Sequence, residues 1–253
     1  MLNDKIAEIL KPIAEFSVNM NKTLKPLTNA ISSIVKTISE FYEKLKYDNF
    51  TEQEINYYID IYYRYGEFGW SIPFNTEILF KKAPVSLENA DKKLIKYCTK
   101  KSMDDCFLYI LSSKCVNQED FAEGEFCYRK KKYKACILML YSIIDSLIIR
   151  LQSPKTKGHR QTSETFKKLD TAIKNNGKEY IFYMCRFSAT LVCLKTLYAN
   201  GNDFKVQPNV PNRNFISHGM LLREVTKTDC IKIFILLQNL CFIIKHLKLT
   251  LYS

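Results

Sequence analysis

The chain has 253 residues, 47% of them apolar and 13% aromatic, so it can bury a sizeable core and is not a disordered polymer. Glycine and proline are scarce at seven each, which argues against a turn-rich all-β fold and leaves room for long helices. The formal charge of +12 sets up a field that attracts phosphate-bearing partners or an anionic membrane, with lysine-rich solubility as the plain alternative.

The N-terminal "MLNDKIAEIL" has no uninterrupted apolar run, so a secretory signal is not expected. Leu24, Leu27, Ile31, Ile34, Ile38, Phe41 and Leu45 follow alternating steps of three and four. That spacing keeps a narrow apolar stripe on one helix face and predicts a coiled-coil-like seam over 24–45, as an intramolecular hairpin or a dimer coil. "TEQEINYYIDIYYRYG" opens with Thr51 and Glu54 in capping-box spacing and closes at Gly66; its tyrosines fall at helical spacing and read as packing rather than base stacking. "GEFGWSIPF" is a break that carries Trp70, and a helical region from about Ser86 to Lys114 follows, with Ser102 and Asp105 as a second box. Residues 1–115 therefore read as an N-terminal helical region of unassigned role, ahead of a C-terminal helical bundle over 116–253.

"NQEDFAEGEFCYRKKKYKACILMLYSIIDSLIIRLQ" predicts a helix leading into a strongly apolar one that ends before Pro154. A basic loop, "SPKTKGHRQT", comes next, then a helix ending at Gly177 and a long apolar helix closing near Gly201. The last helix begins with Thr226 and Asp229 in capping-box spacing. Three long apolar helices with shorter ones between them describe an all-α bundle. The two most apolar stretches are interrupted by Asp145 and by Lys232, Gln238 and Asn239, so neither suits a bilayer. The nine cysteines are odd in number, form no CxxC pair and mostly lie in apolar helical patterns, for example Cys136, Cys185, Cys193 and Cys241. They read as reduced, buried small hydrophobes of a cytoplasmic protein, not as a disulfide framework or a zinc site.

The stretch with the most chemistry is "NRNFISHGM", residues 212–220. Only seven residues are arginine and three histidine, so Arg213 and His218 together stand out. Pro211 suits the first turn of a short helix, Asn209 or Asn212 can cap it, and Gly219 can end it. Arg213 and Asn214 then lie near the positive end of the helix, which favours an anion. Asn214 and His218 are four apart and share a face, while Arg213 and His218 diverge by roughly 140°, a gap the long arginine can reach round. An imidazole, titrating near pH 6.5 when unperturbed, can take a proton from a ribose 2′-OH or give one to the leaving 5′-oxygen. A guanidinium stabilises charge growing on the phosphate oxygens, and Asn214 can orient the histidine or bind the phosphate.

"RNFISH" resembles the R-x4-6-H motif of HEPN domains, with a polar residue directly after the arginine. The surrounding pattern, over about residues 118–250, is similar too: a helical bundle with the motif near the start of a late helix, and an earlier apolar helix carrying Asp145. The resemblance implies a metal-independent endoribonuclease that needs no cofactor. Two protomers would pair into a homodimer whose composite cleft holds Arg213, Asn214 and His218 from each, and would leave 2′,3′-cyclic phosphate and 5′-hydroxyl ends. It also implies a toxin, abortive-infection or anti-phage setting, with an antitoxin or regulator as a further partner. Asp145, inside an apolar helix, needs a partner; Arg213, a nearby hydroxyl and partial exposure to water are the alternatives. Lys155, Lys157, His159 and Arg160 form a basic loop that can track an RNA backbone or remain solvated. His246 reads as a cover for the last helix end. The competing classes are a non-catalytic nucleotide-binding or dimerisation module and a peripheral membrane protein that uses the basic surface.

Overall fold

The computed structural model describes residues 47–76, 79–151, 165, 167–172 and 180–251. The seam over 24–45, the basic loop with Lys155, Lys157, His159 and Arg160, and Gly177 lie outside them. The described helices are α1 (Glu52–Glu67), α2 (Leu87–Ile95), α3 (Lys100–Ser112), α4 (Gln118–Arg129), α5 (Tyr133–Arg150), α6 (Ile181–Leu197), α7 (Arg213–Ser217) and α8 (Lys227–His246). Residues 167–172 are helical as well, and no β-strand occurs among the described residues. The protein is all-α, and among the described residues no helix is long and apolar enough to cross a membrane.

The chain divides into two compact units, Met1–Asn49 and Phe50–Ser253. A division near residue 115 is not what the fold has, because α1, α2 and α3 belong to the same unit as the later helices. α8 is its axis: fifteen of its twenty residues are buried, so it is covered on every side, by α3, α5 and α6 among others. α1 lies along α6, and α4 along α5. Seven of the nine cysteines are buried, all are free thiols, and Cys230 and Cys241 sit within α8 as small core residues.

Local signals set several boundaries. Thr51 with Glu54 and Thr226 with Asp229 form the reciprocal hydrogen bonds of capping boxes. The helical region from Ser86 to Lys114 is made of two helices, α2 and α3. Thr99, rather than Ser102, caps the second, its hydroxyl accepting from the Ser102 N–H while the Ser102 hydroxyl donates to the Tyr97 carbonyl. α1 approaches α6 closely because Gly66 has no side chain. A Cβ there would lie 2.6 Å from Val192 Cβ and 2.8 Å from the Ala189 carbonyl oxygen. Gly66→Ala is therefore expected to lower unfolding free energy in urea by about 1–3 kcal/mol, the usual cost of overpacking. An unchanged midpoint would mean that the two helices separate freely.

The break after α1 is a core element. Trp70, Ser71, Ile72 and Pro73 are all buried, so their backbone groups need partners inside the protein. Arg186 of α6 donates to the carbonyls of Ile72 (3.0 Å), Pro73 (3.3 Å) and Phe74 (3.5 Å), and Asn239 of α8 donates to Ile72 at 2.9 Å. The guanidinium lies 4.6 Å from the ring centres of both Phe74 and Phe182, and burial pulls its pKa down to about 10. Lys232 of α8, 2% exposed, pairs with Asp91 at 2.8 Å, and the Trp70 indole donates to the same carboxylate oxygen at 2.6 Å. Polar residues in an apolar sequence thus tie an extended segment to the two core helices.

Candidate functional site

α7 is held by its cap. Asn212 Oδ1 accepts from the N–H groups of Asn214 (2.9 Å) and Phe215 (3.3 Å), and its amide donates to the Ala199 carbonyl at 2.9 Å. Pro211 lies before this cap rather than in the first turn, and its carbonyl accepts from the buried Tyr141 hydroxyl. With only five residues and its first N–H groups occupied, α7 does not offer the free anion site expected at its start. The far end is a Schellman turn, in which Gly219 N–H donates to Ile216 and Met220 N–H to Phe215, with Gly219 at φ +70°. His218 is the C-cap.

Asp145 of α5 meets Arg213 across 68 positions of sequence. Its Oδ2 accepts from Arg213 Nη2 (2.7 Å) and Nε (3.2 Å), and its Oδ1 accepts from the Tyr198 hydroxyl at 2.8 Å. Two of the partners weighed from sequence, the arginine and a hydroxyl, are thus engaged together. Both charged side chains are about one-third exposed, so the pair borders solvent. Burial first, and then the adjacent carboxylate, pushes the Tyr198 phenol well above its ordinary range; burial does the same to Tyr141. Both phenols therefore stay protonated and act as donors.

Asn214 donates its amide to the Ala199 carbonyl at 3.1 Å and accepts a long contact from Arg213 Nη1 at 3.4 Å. Its side chain does not hold His218; the link between them is the backbone bond from His218 N–H to the Asn214 carbonyl, 3.1 Å. The His218 ring is exposed and rests edge-on against Phe204, 5.6 Å between centroids, while Phe204 packs on Phe215 at 5.0 Å. No hydrogen bond to that ring is present among the described residues. Arg213, Asn214 and Asp145 therefore form one hydrogen-bonded group, with His218 at the opposite end of the same short helix.

No protein-family model, curated protein or solved structure matches this chain. What the site can do rests on its own side chains.

Those side chains offer a fixed cation with one amino group still turned to a weak contact, and an accessible imidazole. No group of three or more His, Cys, Asp or Glu suited to a metal ion occurs among the described residues. His246 ends α8 with its ring stacked on Phe242 and edge-on to Tyr183, in an aromatic cluster. Sequence reasoning misses Tyr198, Tyr141 and Phe204, which fix the carboxylate, the α7 entrance and the imidazole. Nothing in their local spacing marks them. It also passes over "YRKKKYK" as a helix junction, although a run of lysines between two helices is a visible signal.

Proposed function

We propose that the protein is a metal-independent endoribonuclease of the HEPN type. The observation that supports this best is the Asp145 carboxylate, which holds Arg213 and Tyr198 together at the entrance of α7, with an exposed imidazole five positions on. In this reading a ribose 2′-oxygen attacks the adjacent phosphorus as His218 takes its proton. The bond from phosphorus to the 5′-oxygen breaks, and a protonated imidazole supplies the proton that the leaving oxygen needs. Arg213 stabilises the charge that develops on the non-bridging oxygens. One imidazole cannot fill both roles at once, so a homodimer with two copies of Arg213, Asn214 and His218 in one cleft completes the site. RNA is then the substrate, and a toxin, abortive-infection or anti-phage setting with a regulatory partner is the biological reading.

A second reading, a non-catalytic nucleotide-binding or dimerisation module, is favoured by one feature: two of the three Arg213 nitrogens are already committed to Asp145. The purified protein incubated with total RNA in excess EDTA separates the two. The nuclease is expected to yield fragments ending in 2′,3′-cyclic phosphate and 5′-hydroxyl. RNA that is retained but intact across several substrates would assign the binding module instead.

A further inference from the structure

A groove of about 510 Å³ runs beside α7, between the turn that joins α4 to α5 and the segment that follows Gly219. Lys131, Lys132 and Lys134 line one side, all three exposed and none in an ion pair among the described residues. Their placement is fixed by the backbone. Lys131 has φ +60°, its N–H donates to the Tyr128 carbonyl at 3.0 Å, and Lys132 N–H donates to Cys127 at 2.8 Å, closing a Schellman turn after α4. Across the groove Leu222 is 83% exposed, and Arg223 is held by Asp229 through bonds of 2.7 and 3.1 Å. Glu224 is the acidic residue of the lining, so the free cations outnumber it three to one. Ile216 and Gly219, two positions before and one after the His218 cap, are part of the lining.

We propose that this groove binds a single-stranded RNA, with Lys131, Lys132 and Lys134 on its phosphates and the apolar Leu222 wall against its base faces. A cationic track on the phosphates is the part of single-strand binding that does not read sequence, and Leu222 adds apolar contact to the bases. A lipid surface calls for an apolar face that can be laid into the headgroup plane, whereas these residues line a concavity. The ribonuclease reading is needed only to say why the strand passes α7; the groove binds it whether or not cleavage follows.

The test measures binding of a labelled oligouridine over a range of salt concentrations, in the His218→Ala background so that the strand survives. Lys131→Gln, Lys132→Gln and Lys134→Gln are combined, and folding is checked by circular dichroism. The triple variant is expected to raise Kd at least about tenfold and to lower the slope of log affinity against log salt by about 2, since each phosphate neutralised by a lysine contributes roughly 0.7. The same change at Lys81, Lys82 and Lys92, exposed lysines outside the groove, should leave the slope alone. An unchanged slope in the groove variant overturns the assignment, as does absence of RNA binding in the parent chain. Lysine-dependent binding to phosphatidylserine vesicles but not to RNA overturns it too, in favour of a membrane surface. The two readings fail separately. If the unsubstituted chain binds with this slope and leaves RNA intact, the groove stands and the ribonuclease falls. If cleavage continues in the triple variant at the same rate and salt sensitivity, the ribonuclease stands and the groove falls.

Discussion

In the Asp91→Ala variant the unfolding free energy measured in urea is expected to fall by about 3 kcal/mol, the low end of the cost of breaking a buried ion pair. Lys232 is 2% exposed, and without Asp91 its ammonium keeps, among the described residues, the Phe68 carbonyl at 3.2 Å and the face of Trp70, 5.3 Å away. The buried Trp70 N–H loses its acceptor at the same time. Desolvation of an unpaired ammonium dominates, and one carbonyl and a π-face do not offset it. Asp91 is itself one-third exposed, so water can enter its place, which holds the expected loss at the low end. The decisive comparison adds Lys232→Met. If the loss comes from the orphaned charge, the double variant is more stable than Asp91→Ala alone, because the charge is gone and an apolar chain of similar length fills the site. A double variant less stable than either single one would mean that the pair acts through packing.

The helix class and several helix starts are legible because their causes are local. Thr51 with Glu54 and Thr226 with Asp229 need only three-residue spacing, and α5, α6 and α8 announce themselves by apolar runs too long for strands. Where two hydroxyls compete at the same spacing, sequence alone does not choose; Thr99 prevails over Ser102 because the chain bends at Lys96–Cys98 with no glycine or proline to mark it. Pro211 lies outside the first turn of α7 that its ring would suit, since Asn212 supplies the cap and the proline carbonyl is taken by Tyr141. At the site, the need of a carboxylate in an apolar helix for a partner points to Arg213. The simultaneous role of Tyr198 is a tertiary fact that no local pattern carries. The same holds for the lysine turn, whose position beside α7 follows from how α5 packs, not from its charge.

Substitution at the two ends of α7 should separate catalysis from scaffolding. His218→Ala is expected to lower the RNA-cleavage rate by about 10²–10⁴, the usual contribution of a positioned general acid–base. Arg213→Ala is expected to cost about 10²–10³, that of one missing charge-stabilising donor. Neither should unfold the protein. The His218 ring is exposed, with Phe204 as its contact, and the Arg213 pair borders solvent, where such pairs contribute at most about 1 kcal/mol to stability. Asp145 touches Arg213 rather than the place where RNA would react, so Asp145→Asn should act through position. One weakened charge-assisted hydrogen bond of about 1.5 kcal/mol corresponds to roughly a tenfold fall, expected in kcat with KM little changed. Asparagine keeps an acceptor for the guanidinium, whereas Asp145→Ala does not and should fall further. The proposed composite cleft would be lost with the dimer, so rates are compared at equal dimer content. Cleavage by Arg213→Ala at the wild-type rate would remove Arg213 from the chemistry and leave the Asp145–Arg213–Tyr198 group as a brace between α5, α6 and α7.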